Sequence, residues 1–190
     1  QRHKDVSYIF SGSRRSILLN MFNSQKKAFY KQAEPFHLDI ISLPHYKQWA
    51  KALFRKKNAS LSDSLIESAV SLFENHPMYV QRFFYHLWEE KKINENSLEK
   101  IKAILIERHE NEFLSLWDSF SFNQRKVLKM IAVMDGRELF SSKVLSGVEL
   151  KSASQAKRAI ESLEKRDIII KNGRYRIHDI LLKHWVLQLA

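Results

Sequence analysis

The amino-acid sequence predicts a mostly α-helical protein. Only 4 of its 190 residues are Gly and 3 are Pro, so few positions favour turns or irregular structure. Apolar residues make up 44% of the chain and aromatic residues 12%, which is enough to build packed cores and excludes disorder caused by low hydrophobicity. From Pro44 onward the apolar residues recur at intervals of three and four, the spacing of amphipathic helices.

The composition excludes several classes of protein. The chain has no Cys, which excludes a disulfide scaffold and Cys-ligated zinc. No apolar run approaches the roughly 20 residues needed to cross a bilayer, so we expect no membrane partner. The chain begins at Gln1 without Met and without a secretion signal. We therefore interpret its start as a cut end and expect a cytoplasmic location.

Residues 1–44 are predicted to be the C-terminal remnant of a parallel α/β core. Ser7–Ser11 and Phe36–Leu43 are rich in β-forming residues and each ends at a Gly or Pro, which is typical of strands. A helix is predicted between them, because apolar residues there have helical spacing: Ile17, Leu18, Met21 and Phe22. Buried parallel strands need neighbours on both sides, so we expect the rest of this sheet to precede Gln1.

Residues 45–118 are predicted to form a bundle of helices. The sequence predicts four of them: His45–Lys57, Ser62–Phe73, one that follows Pro77, and a long one from Asn96 or Ser97 to Phe120. The helix after Pro77 is a close match to the amphipathic template, with one face formed by Val80, Phe83, Phe84, Leu87 and Trp88. We interpret these apolar and aromatic stripes as the core of the bundle.

Residues 119–190 are predicted to form a separate winged helix-turn-helix domain. Ser121 and Ser152 are each followed three residues later by Gln, the pattern of a capping box that begins a helix. A short helix is predicted at Ser142–Leu145, between the two capped ones. Asn172-Gly173 lies between two β-rich runs and predicts a hairpin. Three helices followed by a hairpin is the order of a winged helix.

The charge distribution favours contact between this last domain and nucleic acid. Residues 1–60 carry 12 basic and 3 acidic side chains, residues 61–120 carry 6 and 11, and residues 121–190 carry 14 and 7. On a helical wheel, the outer face of the third helix and the wing present polar and basic residues suited to phosphates and base edges: Lys151, Ser154, Lys157, Arg158, Lys165, Lys171, Arg174 and Arg176. Glu161 on the same face opposes phosphate binding, so a solvated face on a protein-interaction fold is the alternative.

No catalytic residue and no metal ligand are predicted. The eight His residues are scattered and form no H-E-x-x-H motif. No G-x-x-x-x-G-K-[ST] phosphate loop is present. Phosphoryl transfer depends on positioning the phosphates and neutralising their charge, so this chain alone is not expected to hydrolyse ATP.

Several segments in order resemble the archaeal-type ATPases, which belong to the AAA+/STAND class of P-loop NTPases. The similar segments are residues 8–15 (YIFSGSRR), 21–22 (MF), 28–30 (AFY), 75–81 (NHPMYVQ), 122–128 (FNQRKVL), the helix 152–163, and 173–185. The resemblance covers essentially the whole chain. It implies the end of an ATPase core, a helical lid at 45–118 and a winged helix. The phosphate loop and the acidic magnesium strand would lie upstream.

The resemblance also implies nucleotide-binding residues. Ser11 and Ser13 end the strand that corresponds to sensor 1, and Arg14 or Arg15 supplies positive charge to phosphates. Pro77 matches a lid proline that packs against adenine in relatives, and His76 precedes it as a candidate nucleotide sensor. Two positions depart from the family pattern: Asn75 replaces a glycine and Lys27 replaces an arginine. ATP and Mg²⁺ are thus the cofactors expected in the whole protein, and none is expected to bind tightly to this chain alone.

Three functional hypotheses remain open at this point. The first is the lid and winged-helix part of a regulatory ATPase that switches with nucleotide, whose partners are the N-terminal ATPase core and DNA or a protein. The second is a winged-helix DNA-binding regulator that acts by itself. The third is an adaptor whose winged helix docks on a protein partner or on a second copy of the chain. Salt-dependent DNA binding separates the second from the third, because neutralising phosphates releases counterions.

Overall fold

The computed structural model describes residues 6–12, 15–36, 38, 40–94, 96–137, 139 and 152–190. The chain divides into two units, residues 1–39 and residues 40–190. Helices dominate the described residues, and two short strands form their one sheet. The predicted mostly helical fold, a helical bundle followed by a winged helix, is therefore confirmed.

The first unit contains one helix, α1 (Arg15–Asn23). Three aromatic rings pack together beside it: the ring centres of Phe10, Phe22 and Phe29 lie 5.4 to 6.0 Å apart. After α1 the chain turns, and the Lys31 amide donates a 2.9 Å hydrogen bond to the Phe22 carbonyl. The predicted helix in this unit is thus confirmed.

The two strands predicted in residues 1–44 are wrong for the described residues. Residues 7–12 form no helix and no ladder, and neither do the described residues between 36 and 42. The apolar side chains of these segments lie in solvent: Ile9, Phe36 and Leu38 are 94%, 86% and 88% exposed. A strand is stabilised by hydrogen bonds to a neighbouring strand and by burial of its faces, and no described segment supplies either one here.

Five helices follow at the start of the second unit: α2 (Leu43–Arg55), α3 (Asp63–Leu72), α4 (Pro77–Glu89), α5 (Ser97–Glu107) and α6 (Glu110–Asp118). The Ser62 hydroxyl caps α3 by accepting a 3.2 Å hydrogen bond from the Leu65 amide. Pro77 occupies the first turn of α4, where its missing N–H costs nothing.

The single long helix predicted from Asn96 or Ser97 to Phe120 is wrong, because the chain breaks at Arg108 and His109 into α5 and α6. After the break, Phe113 and Trp117 lie with their ring centres 5.9 and 5.7 Å from that of Trp185. Sequence spacing could not show this break, because both halves carry apolar residues at helical intervals and the contact that fixes their direction comes from a distant segment.

The core of the lid is aromatic, as its spacing predicts. Phe54, Phe83, Phe84 and Leu87 are fully buried. Phe54 packs edge-on against Phe84 and Trp88, with ring centres 6.3 and 5.4 Å apart. Aromatic pairs in this geometry stabilise a core beyond the area that they bury.

The winged helix consists of α7 (Phe122–Met134), α8 (Ala153–Lys165), β1 (Ile169–Asn172), β2 (Arg174–Ile177) and α9 (Ile180–Gln188). Both hydrogen bonds of the capping box at Ser121 and Gln124 are present. At Ser152 the hydroxyl accepts from the Gln155 amide, and this half of the second box is formed. The predicted helix Ser142–Leu145 lies outside the described residues.

The predicted hairpin is confirmed. Strands β1 and β2 pair antiparallel, with Ile169 opposite Ile177 and Asn172 opposite Arg174. Gly173 lies between them with φ +71°, a conformation that glycine adopts without steric cost.

The predicted lid and winged helix both lie within the second unit. The proposed domain limits at 44/45 and 118/119 stay predictions. None of the helices in the described ranges has the length and apolar character that a membrane span requires.

Candidate functional site

The third helix of the winged helix, α8, has one buried and one exposed face. Its inner side is formed by small and aliphatic residues: Ala156, Ala159, Ile160 and Leu163. Ser154, Lys157, Arg158 and Lys165 are exposed, as are Glu161 and Glu164. The Ser154 hydroxyl lies 2.8 Å from that of Ser152, the N-terminal cap. The helical wheel therefore predicted the exposed face correctly, while Lys151 lies outside the described residues.

The cations of α8 are not neutralised within the described part of the chain. No described carboxylate lies within ion-pair distance of Lys157, Arg158 or Lys165. Glu161 is three or four residues from each of them along the helix, yet it pairs with none. The free guanidinium and ammonium groups on this face are suited to phosphate oxygens.

The wing arginines differ from the α8 cations, because each of them lies beside a carboxylate from another element. Arg174 forms an ion pair with Asp135, at the end of α7. The Arg176 guanidinium lies 3.9 Å from Glu74, which follows α3 in the lid. Both arginines are half-buried, whereas Lys171 is exposed, with its ammonium 5.3 Å from the centre of the Tyr175 ring.

Lys183 of α9 joins these two ion pairs into one cluster. Its ammonium contacts Glu74 and lies 3.4 Å from Asp135. We call these five residues, Glu74, Asp135, Arg174, Arg176 and Lys183, the ionic cluster. Three cations surround two carboxylates. Through Glu74 the cluster connects the lid to Arg176 of the wing and to Lys183 of α9, and through Asp135 it includes the end of α7.

Backbone geometry places both carboxylates of the ionic cluster. Glu74 (φ +48°) and Asp135 (φ +50°) directly follow the last turns of α3 and α7 and have left-handed conformations. The C-terminal end of a helix carries partial negative charge and disfavours a carboxylate. The three neighbouring cations offset that repulsion.

Two further contacts attach the lid to the last helix. The Tyr79 hydroxyl donates a 2.8 Å hydrogen bond to the Asp179 carboxylate, which also caps α9 by accepting from the Leu181 and Leu182 amides. Burial and the charge of Asp179 raise the pKa of Tyr79, so its hydroxyl keeps the proton that it donates. The winged helix is thus anchored to α4 as well as to the turn after α3.

His184 provides the second contact. Its Nε2 lies 2.9 Å from the Leu72 carbonyl oxygen, and its ring lies edge-on to that of Phe73 with centres 6.4 Å apart. Burial lowers the pKa of His184. A neutral imidazole with its hydrogen on Nε2 donates to that carbonyl, one of the acceptors that the end of α3 leaves without a helical partner.

The turn between α3 and α4 contains the predicted nucleotide-contacting residues of the lid. His76 is exposed at the N-terminal cap of α4, with its ring 4.9 Å from that of Tyr79, and Pro77 follows it. Asn75 has φ +61°, and its amide nitrogen donates a 2.9 Å hydrogen bond to the Ile41 carbonyl. The left-handed turn forms with Asn at this position, because Asn tolerates that conformation better than most residues.

The predicted phosphate-contacting residues of the first unit are only partly described. Ser11 is exposed and lines a mainly apolar cleft together with Phe10, Phe22 and Phe36. Ser13 and Arg14 lie outside the described residues. Arg15 is the first residue of α1.

A metal site is not found among the described residues, where no three His or carboxylate side chains cluster in a way that could hold an ion. The ionic cluster and the Tyr79–Asp179 contact were not predicted from the sequence. Asp135-Gly136 is a typical helix C-terminus, and this signal would have placed Asp135 at the end of α7 without indicating its partners. Nothing in the sequence indicated that Glu74 faces residues more than a hundred positions further along.

The fold and a family match show that the chain contains a winged-helix domain. Residues 111–188 match the sequence model of a family described as "Probable winged helix domain", which agrees with the order of α7, α8, β1, β2 and α9. A search of curated proteins found no match.

The wider fold, lid included, is similar to that of a solved structure, the Walker-type ATPase paby2304 of Pyrococcus abyssi. The TM-score is 0.60 at 17% sequence identity, over 86% of this chain and 47% of that one. At this identity the likeness concerns the fold. This chain spans about half the length of that structure.

Proposed function

We propose that this chain is the lid and winged-helix part of a cytoplasmic regulatory ATPase of the AAA+/STAND class, whose winged helix contacts nucleic acid. The observation that carries the proposal is the attachment of the winged helix to the lid at the turn that holds His76 and Pro77. A change at that turn is thereby transmitted to the wing, because Glu74 and Tyr79 on either side of it contact the winged helix directly.

The nucleotide part of the proposal rests on the lid turn and on the first unit. ATP with Mg²⁺ would bind to an ATPase core that supplies the phosphate loop, while Pro77 and His76 approach the base from the lid. Ser11, Ser13, Arg14 and Arg15 would lie near the phosphates. The fold likeness to a Walker-type ATPase of about twice this length supports the proposal that the chain is part of a larger ATPase. Closure of a lid over a bound ligand is a common way to couple ligand binding to domain movement.

We expect a longer form, in which an ATPase core with a phosphate loop is joined to this chain, to bind ATP in the presence of Mg²⁺. The 190-residue chain is expected to bind at least about tenfold more weakly, because its sequence contains no phosphate loop. Isothermal titration of both forms with ATP and Mg²⁺ measures the difference. A longer form that does not bind ATP contradicts the nucleotide part of the proposal.

The nucleic-acid part rests on the free cations of α8. Ser154, Lys157, Arg158 and Lys165 share one exposed face at and beyond a capped helix N-terminus, and exposed Lys171 adds charge from the wing. A helix end with unpaired N–H groups and neighbouring cations favours phosphate. Glu161 and Glu164 reduce the net charge of this face, which instead favours the adaptor hypothesis.

We expect the 190-residue chain to bind duplex DNA with an affinity that falls steeply between about 50 and 200 mM salt. Arg158→Glu with Lys165→Glu should weaken binding by roughly 10- to 100-fold and make the slope of log K against log salt shallower by about two. Fluorescence anisotropy with a labelled duplex measures both quantities.

The matched control for this experiment is Lys91→Glu with Lys92→Glu, which makes the same charge change on two exposed lid residues. Equal losses in both double variants would indicate a general charge effect and contradict a site on α8. If the chain does not bind DNA even at about 50 mM salt, the nucleic-acid part is wrong, and a protein partner or a second copy of the chain becomes the expected occupant of this face.

A further inference from the structure

The two wing arginines that the sequence assigned to nucleic acid, Arg174 and Arg176, are half-buried and lie beside carboxylates of the protein. Arg174 pairs with Asp135 and Arg176 lies 3.9 Å from Glu74, while Lys183 contacts both carboxylates. The α8 cations have no such partners in the described part of the chain. The basic surface of the winged helix is therefore divided into a free half on α8 and an occupied half on β2.

We propose that Glu74 and Asp135 mask Arg174 and Arg176, and that release of the wing from these carboxylates adds both arginines to the polyanion-binding surface. As far as it concerns nucleic acid, this inference rests on the proposed function. The masking itself is a property of the ionic cluster and is testable without any ligand.

The carboxylates of the cluster lie close enough to bind the arginines, yet these ion pairs are weak enough for a phosphate to replace the carboxylates. Glu74 and Asp135 keep 30% and 37% of their side-chain surface exposed, so solvent screens their attraction. The Arg176 Nε is buried with no hydrogen-bond partner among the described atoms, so the guanidinium uses only part of its donor capacity. A phosphate group accepts two parallel hydrogen bonds from an arginine and competes well for such a site.

The position of Glu74 connects masking to the lid. Glu74 directly precedes Asn75, His76 and Pro77, and its left-handed backbone belongs to the same turn. Movement of that turn changes the distance between Glu74 and Arg176 before it changes any contact of α8. The lid thus controls the wing arginines while the α8 cations stay available throughout.

The test uses the 190-residue chain with Glu74→Gln, Asp135→Asn and the double variant. Arginine exposure is measured by phenylglyoxal modification, followed by peptide mass spectrometry of the segment with Arg174 and Arg176. Duplex DNA affinity is measured by anisotropy at several salt concentrations. Glu99→Gln is the matched control, because Glu99 is also an ion-paired carboxylate of the lid but contacts Lys102 of the same helix.

Masking predicts faster modification of Arg176 in Glu74→Gln, of Arg174 in Asp135→Asn, and of both in the double variant. It also predicts that the double variant binds DNA roughly 3- to 10-fold more tightly, with a salt slope steeper by about two. Adding Arg174→Gln and Arg176→Gln to the double variant should abolish that gain. Circular dichroism confirms that each variant is folded.

Modification rates equal to those of Glu99→Gln would overturn the proposal, whatever the chain does with DNA. Faster modification without tighter DNA binding, in a chain that binds DNA through α8, would also overturn it, because the released arginines would not join the surface. If no variant binds DNA at all, the proposed function fails instead. The modification rates then decide whether Glu74 and Asp135 mask the arginines.

Discussion

Replacing Gly136 by alanine is expected to lower the free energy of unfolding by about 3 kcal/mol or more. Gly136 has φ +73°, and a β-carbon added there would overlap the carbonyl oxygen of Tyr175 and lie 2.9 Å from its carbonyl carbon. The obstacle is backbone of β2, so it cannot rotate away as a side chain does. Either the wing or the end of α7 must move. Urea unfolding followed by circular dichroism measures the loss.

The matched control for this prediction is Gly173→Ala. Gly173 has nearly the same φ, +71°, but no atom of the described residues lies within 4 Å of an added β-carbon. It should cost only the left-handed strain of alanine, about 1 kcal/mol. Equal losses at the two positions would show that close approach between α7 and β2 contributes nothing. Because both substitutions introduce the same left-handed strain, the difference between the two losses of unfolding free energy measures the steric clash with β2 alone.

Asp179→Ala is expected to destabilise the protein by about 3 kcal/mol. Loss of the cap on α9 accounts for about 1 kcal/mol, and the buried Tyr79 hydroxyl, left without an acceptor, accounts for about 1 to 3 kcal/mol. Asp179→Asn keeps an oxygen at the cap and should lose much less. Thermal unfolding of both variants measures the difference.

Tyr79→Phe completes a double-mutant cycle with Asp179→Ala. Once the hydroxyl is gone, Asp179→Ala removes only the cap, so its cost should fall by 1 kcal/mol or more. Strictly additive losses would contradict a direct bond between the two side chains. Because this bond joins α4 to the start of α9, the cycle also measures what this one contact contributes to the attachment between the lid and the winged helix.

Local signals in the sequence predicted most of the second unit. The caps at Ser121 and Ser152 satisfy the first amides of their helices through bonds that span only three residues. The hairpin at Asn172-Gly173 depends on a single left-handed glycine. Such features require no distant partner, so residue type and spacing suffice to predict them.

Predictions that needed a distant partner were less successful. The apolar runs at 7–11 and 36–43 have the residue types of strands, yet the described residues there have no ladder, because a strand also requires a neighbour. The helical period continues through Arg108 and His109, although the helix ends there. In both cases the residue spacing indicated which secondary structure the segment can adopt, whereas contacts with the rest of the chain determined which structure it adopts.

The sequence by itself determined the helical class, the two capped helices and the hairpin of the winged helix, and the exposed cations of α8, because caps, turns and apolar periods act over a few residues. Only the tertiary structure decided that Arg174 and Arg176 lie beside carboxylates, while Lys157, Arg158 and Lys165 have no such partner in the described part of the chain. Ion pairs form between residues that folding brings within a few ångströms of each other. A linear chain does not record which carboxylate will lie opposite which cation, since that depends on the packing of the lid against the wing.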